Sequence, residues 1–287
     1  MLPPATLDLY RSLRRRAAAT AVLMDREWVT IGDDFDAGWQ RVGPRLTTLL
    51  AASQVGAATD GAAMVPVALA QSGHPLPAAA RVVPSSLAGY ASDGRGLQSL
   101  LYGAVVNART VQADSLAERL SAGSRFLSLA TRVQVSDAAR GASAVAIAAT
   151  PGAGWVRYVN PPCCQDCAVL AGKWFAHNQG FARHKGCDCV HRPAAESEAP
   201  SGYVQDVPLD QIKDLTQGQR AALDDGADLG RVVNAYRSEV PGRRARMTTT
   251  AELSDRGGAR LTPDGILARS QSRDESVALL RQYGYLT

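Results

Sequence analysis

The sequence predicts a mainly α protein with an N-terminal helical scaffold, a small cysteine-rich β element and short C-terminal helices. Three observations carry this expectation. Apolar residues recur at three-to-four spacing through most of residues 1–150, that periodicity stops at Pro151, and all five cysteines fall between Cys163 and Cys189. With 287 residues, 46% apolar and 20% charged, the chain can bury a substantial core and is not disordered throughout.

Leu7, Leu9, Tyr10, Leu13, Ala17, Ala21 and Met24 mark a first amphipathic helix from Pro4 to about Thr30, with Pro4 suited to its first turn. Arg14, Arg15 and Arg16 ahead of Ala17–Met24 faintly resemble a signal peptide, but Asp25, Arg26 and Glu27 follow at once, so a cytosolic helix is favoured. Trp39, Val42, Leu46, Leu49 and Leu50 predict a second helix, and the Gly- and Pro-interrupted stretch from Gly56 to Pro84 a shorter third. A further pair is expected over Gly96–Gly123 and Arg125–Ala149. The longest uncharged stretch, Gly61–Ala80, contains Pro66, Pro75 and Pro77 and is no bilayer-crossing helix.

At Pro151 the texture changes. Gly152, Gly154, Pro161 and Pro162 break the helical period, and Trp155 to Val159 alternates as a strand does. These features divide the chain into a scaffold domain (1–150), a cysteine module (151–194) and a linker with a small helical region (195–287), the linker running from Ala194 to Gly202. Helices are expected near Thr216–Asp225 and Asp228–Arg237, joined at Gly226, and over Thr262–Ser270 and Ser272–Tyr283. The last has capping-box spacing from Ser272 to Glu275 and Gly284 at its end.

The chemistry lies in the cysteine module. Cys164 and Cys167 form C-x2-C, and after 19 residues Cys187 and Cys189 form C-x-C, with His184 three positions earlier. Two tight chelating turns separated by about twenty residues have the layout of a structural zinc site, because a tetrahedral centre needs two short turns brought together by a loop. The preferred ligands are Cys164, Cys167, Cys187 and Cys189, with Cys163 and His184 as alternates, since six donors compete for four positions. Gly172 sits where a knuckle turns away from its metal, Lys173, Trp174 and Phe175 can form a hairpin, and Phe181 a cap. Arg183, His184 and Lys185 are expected to offset thiolate charge. Plain buried thiols, a redox C-x-x-C and a Cys nucleophile paired with His184, His191 or His177 compete with this reading. The clustering of an odd number of cysteines argues against a disulfide framework and for a reducing setting.

The run from Arg157 to Lys173 (R-Y-V-N-P-P-C-C-Q-D-C-A-V-L-A-G-K) and Arg183 to Cys189 (R-H-K-G-C-D-C) resembles the C-terminal motif of MuF-like minor capsid, or head morphogenesis, proteins of tailed bacteriophages, closest to the actinobacterial-phage branch. The likeness extends to Pro84, Ala88, Gly94, Arg95 and Arg132–Arg140 upstream and to Leu279–Tyr285 downstream. The family's C-x2-C and His-x2-Cys-x-Cys positions match Cys164, Cys167, His184, Cys187 and Cys189. Cys163 is an additional thiol, and Lys185 stands where the family usually has Pro. The resemblance implies a structural virion component present in a few copies inside the head near the portal. It would be assembled in the host cytoplasm and assist head assembly, DNA packaging or ejection. Implied partners are the portal protein and the major capsid or scaffold protein, with packaged DNA a further possibility; no membrane and no small-molecule substrate are expected.

The alternatives from other classes are a capsid maturation protease or other processing enzyme, and a zinc-containing DNA-binding module. The sequence carries no G-x-S-x-G and no H-E-x-x-H, so no enzyme is expected. Arg243, Arg244 and Arg246 form a candidate phosphate-contact segment, and Arg14–Arg16 read as a solvated helix face. Charge is unevenly spread: +3 over residues 1–150, +3 over 151–194 and −2 over 195–287. Arginine abundance is weak evidence in itself, because the chain has 28 Arg against 3 Lys.

Overall fold

Three long helices carry the core of the computed structural model, which describes residues 3–184, 186–199, 205–235, 249–251 and 260–287. In chain order the helical region comprises α1 (Pro4–Trp28), α2 (Phe35–Gln71), α3 (Leu97–Leu101), α4 (Gly103–Thr110) and α5 (Leu116–Ala148). Helices α1, α2 and α5 pack on one another and bury Leu13, Met24, Trp28, Leu46, Leu50, Leu127 and Val135, the mainly α arrangement expected.

One continuous helix, α2, replaces the two expected between Trp39 and Pro84. Asp34 starts it by accepting the backbone N–H groups of Asp36 and Ala37, and the helix then runs through both Pro44 and Pro66. Each proline removes one backbone hydrogen bond, and burial of Leu46, Leu50, Val65 and Leu69 on flanking turns offsets the loss. The glycines read as breaks are places of close approach. A Cβ at Gly61 would lie 2.4 Å from the Ala139 carbonyl oxygen of α5, and Ser143 of α5 donates its hydroxyl to the Gly61 carbonyl at 3.0 Å. Gly61→Ala is therefore expected to force the helices apart and cost about 1–3 kcal/mol, seen as a lower urea midpoint; an unchanged midpoint would remove close approach as the reason for glycine.

Helix α5 likewise ignores the boundary expected at Gly123. It begins in a capping box, with Ser115 accepting the Glu118 N–H and the Glu118 carboxylate accepting the Ser115 N–H. Gly123 faces Trp28 of α1, whose ring would lie 2.1 Å from an added Cβ and whose indole N–H donates to the Leu120 carbonyl.

The chain then enters β1 (Ala153–Tyr158), β2 (Cys163–Cys164), α6 (Gln165–Leu170), β3 (Trp174–Phe175) and β4 (Val190–Ala195). β1 is the middle strand of an antiparallel sheet ordered β3-β1-β4. Trp155 on its buried face stacks on Phe175 (ring centroids 4.2 Å apart) and Phe181 (5.2 Å), the apolar cap expected of these residues. Ala194 and Ala195, expected in the linker, end β4 and are buried, because pairing with Gly154 and Ala153 continues to that point.

The remaining elements are β5 (Ile212–Lys213), α7 (Gln217–Asp224), α8 (Leu229–Ala235), α9 (Pro263–Arg269) and α10 (Arg273–Gln282). β5 pairs in parallel with β2, and Gln219 of α7 donates to Gln165 of α6 at 3.1 Å, so this tail segment packs on the cysteine module. Gly226, the expected join between α7 and α8, and Gly284, the left-handed terminator expected after α10, hold positive φ values of +92° and +76°. Ile266, Leu267 and Leu280 of α9 and α10 bury against Val145 and Ala148 at the end of α5. Arg273 holds the join, its guanidinium donating to the carbonyls of Ile147 and Ala148 at the end of α5, of Thr150 in the turn that follows and of Ala153 at the start of β1. Arg243, Arg244 and Arg246, Lys185 and the expected end of the second tail helix at Arg237 lie outside the described residues. Among the described residues no helix is long and apolar enough to cross a membrane.

Candidate metal centre

The two cysteine turns are built differently. Cys164 is the N-cap of α6, and its sulfur accepts the Cys167 N–H at 3.4 Å, which fixes both thiols on the same side of the first helical turn. The second turn folds back as the Cys187 N–H donates to the His184 carbonyl at 3.2 Å, and Cys189 then leads directly into β4. Gly172, at φ +72°, turns the chain between them where the sequence requires it.

Five of the six candidate donors converge. His184 Nε2 lies 3.2 Å from the Cys164 sulfur and 3.4 Å from that of Cys167. The Cys167 sulfur is also 3.8 Å from Cys187 and 3.5 Å from Cys189. The result is two groups, Cys164/Cys167/His184 and Cys167/Cys187/Cys189, within each of which all donor atoms lie within 4.8 Å of one another. Cys167 belongs to both. The four preferred sulfurs are thus divided between the groups, with His184 beside Cys164. Cys163 is buried but joins neither; burial, then the nearby Cys164, pushes its thiol up to about 11, an unreactive position for a ligand.

The electrostatics come from residues whose role the sequence did not reveal. Arg157 of β1 is fully buried, yet its guanidinium pairs with no carboxylate among the described residues. It donates toward the sulfurs of Cys187 (3.4 Å) and Cys167 (3.7 Å) and lies over the Phe181 ring. Burial works against its charge, and the neighbouring Cys189, Cys187 and Cys167 overcome this and hold it protonated. Arg140 of α5, also buried, donates to the carbonyls of Cys187 and Cys189 and to Asp137. Arg183, expected to offset the thiolates, pairs instead with Asp137 and with the Ser92 hydroxyl.

The sulfurs respond unequally. Hydrogen bonding from Cys167, reinforced by His184 against the cost of burial, brings Cys164 down to about 5. Cys187 is held well below the usual thiol range by hydrogen bonds from Cys167 and Cys189, with Arg140 and Arg157 helping. Cys167 is pushed up by its hydrogen bonds with Cys164, Cys187 and Cys189 and by burial. Cys189, hydrogen-bonded to Cys167 and Cys187 and deeply buried, is pushed up to about 12, so each lowered sulfur, Cys164 and Cys187, stands beside a raised one. Mutually close thiol and imidazole donors, buried at Cys167, Cys187 and Cys189 and half-buried at Cys164 and His184, with guanidinium neighbours can hold a metal ion.

Tyr10 of α1 ties the scaffold to the second turn, donating its hydroxyl to Asp188 at 2.8 Å while accepting from Asn160 and Arg14. Burial and the Asp188 hydrogen bond push its phenol up to about 12. His191 behaves differently from the other histidines. It is fully buried against Trp155 and Phe181 with neither ring nitrogen hydrogen-bonded among the described residues, and burial, then Arg140 and Arg157, holds it neutral. An unsatisfied buried polar group costs about 1–3 kcal/mol, so His191→Leu is expected to leave the melting temperature unchanged or raise it. A large drop would show that the imidazole has a bonding role.

No family model, curated protein or solved structure matches the chain.

Proposed function

We propose that the chain is a structural, MuF-like minor capsid protein of a tailed phage, in which a zinc ion held by the cysteine module clips the sheet and tail region to a helical scaffold. The observation that carries this reading is the convergence of the C-x2-C and His-x2-Cys-x-Cys donors on Cys167, which is itself buried. Tetrahedral zinc, with bonds of about 2.3 Å to sulfur and about 2.0–2.1 Å to nitrogen, separates its ligands by roughly 3.8 Å between sulfurs and roughly 3.6 Å from sulfur to nitrogen. The sulfur pairs at 3.5 and 3.8 Å and the sulfur–nitrogen pairs at 3.2 and 3.4 Å lie near those edges. Cys167 would be a ligand in either arrangement, joined by Cys187 and Cys189 or by Cys164 and His184. Zinc there supplies a cross-link, and Arg157 and Arg140 offset the thiolate charge. Each group supplies three donors, so closing a four-coordinate structural site would draw its fourth ligand from the other group; a cross-link closed in that way suits a building block placed inside the head near the portal, in contact with portal and major capsid or scaffold protein. Elemental analysis should find about one zinc per chain, and immobilised portal protein should retain the zinc-loaded chain. Zinc-free folded protein, or no retention by portal, would defeat the respective half of the proposal.

A processing enzyme is the second reading, favoured by one contact, the 3.2 Å approach of Cys164 to His184. The two readings diverge under iodoacetamide. A metal ligand is protected in zinc-loaded protein and alkylated after chelation, whereas a nucleophile reacts at the same rate in both.

A further inference from the structure

A groove of about 270 Å³ runs along the surface where α1 and α5 meet and is closed at one end by the second cysteine turn. Its floor is small and apolar, formed by Leu13, Ala17 and Ala18. Its rim carries a guanidinium from each helix, Arg14 and Arg132, and a single carboxylate, Asp188. That carboxylate already accepts the Tyr10 hydroxyl. Arg132 has no hydrogen-bond or ion-pair partner among the described residues. The apolar character continues beyond the groove: Val22, one turn past Ala18, is 51% exposed, and Leu129, one turn before Arg132, is 43% exposed.

We infer that this groove is a docking site for an amphipathic helix of a protein partner, with acidic residues flanking its apolar stripe. Two helices side by side leave a trough that a third helix fills, with side chains at every third or fourth position entering the apolar floor. Arg132, and Arg14, which donates only to the Tyr10 hydroxyl and pairs with no carboxylate among the described residues, then meet carboxylates on either side of that stripe, which sets orientation and excludes basic partners. A nucleic-acid backbone would satisfy the arginines but would leave Val22, Leu129 and Ala18 facing phosphate and sugar, so the apolar component favours protein. The inference stands on the groove alone and does not depend on the metal or the capsid reading.

The test uses the 287-residue chain as purified and three probes in fluorescence anisotropy: a helical peptide with a leucine stripe flanked by Glu, the same peptide flanked by Lys, and a duplex DNA. The Glu peptide should bind at least about tenfold more tightly than the Lys peptide. Arg132→Glu combined with Arg14→Glu should invert that preference, and Leu129→Asp should weaken binding of the Glu peptide severalfold. All these substitutions are on exposed side chains, and circular dichroism with the metal content checks that the fold is kept. No binding, equal affinity for both peptides, a preference that survives the charge reversal, or DNA that displaces the Glu peptide from the same groove would each overturn the inference.

Discussion

Cys167→Ser is expected to abolish metal binding and to unfold the β module while the three-helix core persists. Cys167 is the one donor shared by both groups, so its loss leaves Cys164 with His184 and Cys187 with Cys189, two pairs without a common partner. Structural zinc contributes on the order of 10 kcal/mol in small peptides at neutral pH, comparable to the roughly 5–15 kcal/mol that stabilises a whole domain. Beyond the β1–β4 pairing and the Trp155 stack the module has little to replace it: β2, β3 and β5 are two residues each. The buried cluster is continuous from the scaffold into Trp155, Val159 and Ile212, but its larger part, from Leu9 to Ile147, lies among the helices and needs no metal to pack. Hydrogen exchange should therefore show protection lost across residues 153–195 and kept in α1, α2 and α5. Chelation of the wild-type protein should reproduce this pattern and add nothing to the variant, while Cys163→Ser, outside both groups, should retain its zinc. A Cys167→Ser protein with full metal content and an unchanged exchange pattern would dismiss the clip altogether.

How much of this was legible beforehand follows from the range over which each signal acts. Caps are local, and Ser272 with Glu275, Gly226 and Gly284 could be read directly because the residues that decide them are neighbours. The cysteine turns were legible for the same reason: each chelating pair is set by spacing within one turn. Continuity of α2 and α5 was not legible, because Gly61 and Gly123 signal a break locally and reveal their use only when Ala139 and Trp28 arrive from other helices. The counter-charges failed in the same way. Proximity in sequence points Arg183 at the thiolates, yet Asp137, 46 positions earlier, takes its guanidinium. Arg157 carried one usable signal: it alternates with Trp155 on a strand, so a buried Trp implies a buried Arg beside it.

The second large effect is expected at Arg140, which joins scaffold to module through one side chain. From α5 its Nε donates to the Cys189 carbonyl at 2.9 Å, Nη1 to Asp137 at 2.6 Å and Nη2 to the Cys187 carbonyl, with the guanidinium over the Phe181 ring. Arg140→Met fills similar volume but strips Asp137 of one of its two cationic partners and leaves two buried carbonyls short of a donor. Removing one member of a buried ion pair costs about 3–5 kcal/mol, and unsatisfied carbonyls add to that. Arg140→Lys should recover only part of the loss, because an ammonium on a flexible stem cannot span three acceptors laid out for a planar fork. If the arginine acts by fixing the backbone of the second cysteine turn, its loss should destabilise the metal-loaded protein more than the chelated one, since only in the former is that turn held in place. Melting both variants with and without chelator measures that difference directly. Equal losses in the two states would assign Arg140 to the Asp137 pair alone, and a loss below about 1 kcal/mol, typical of surface sites, would remove it from the join between scaffold and module.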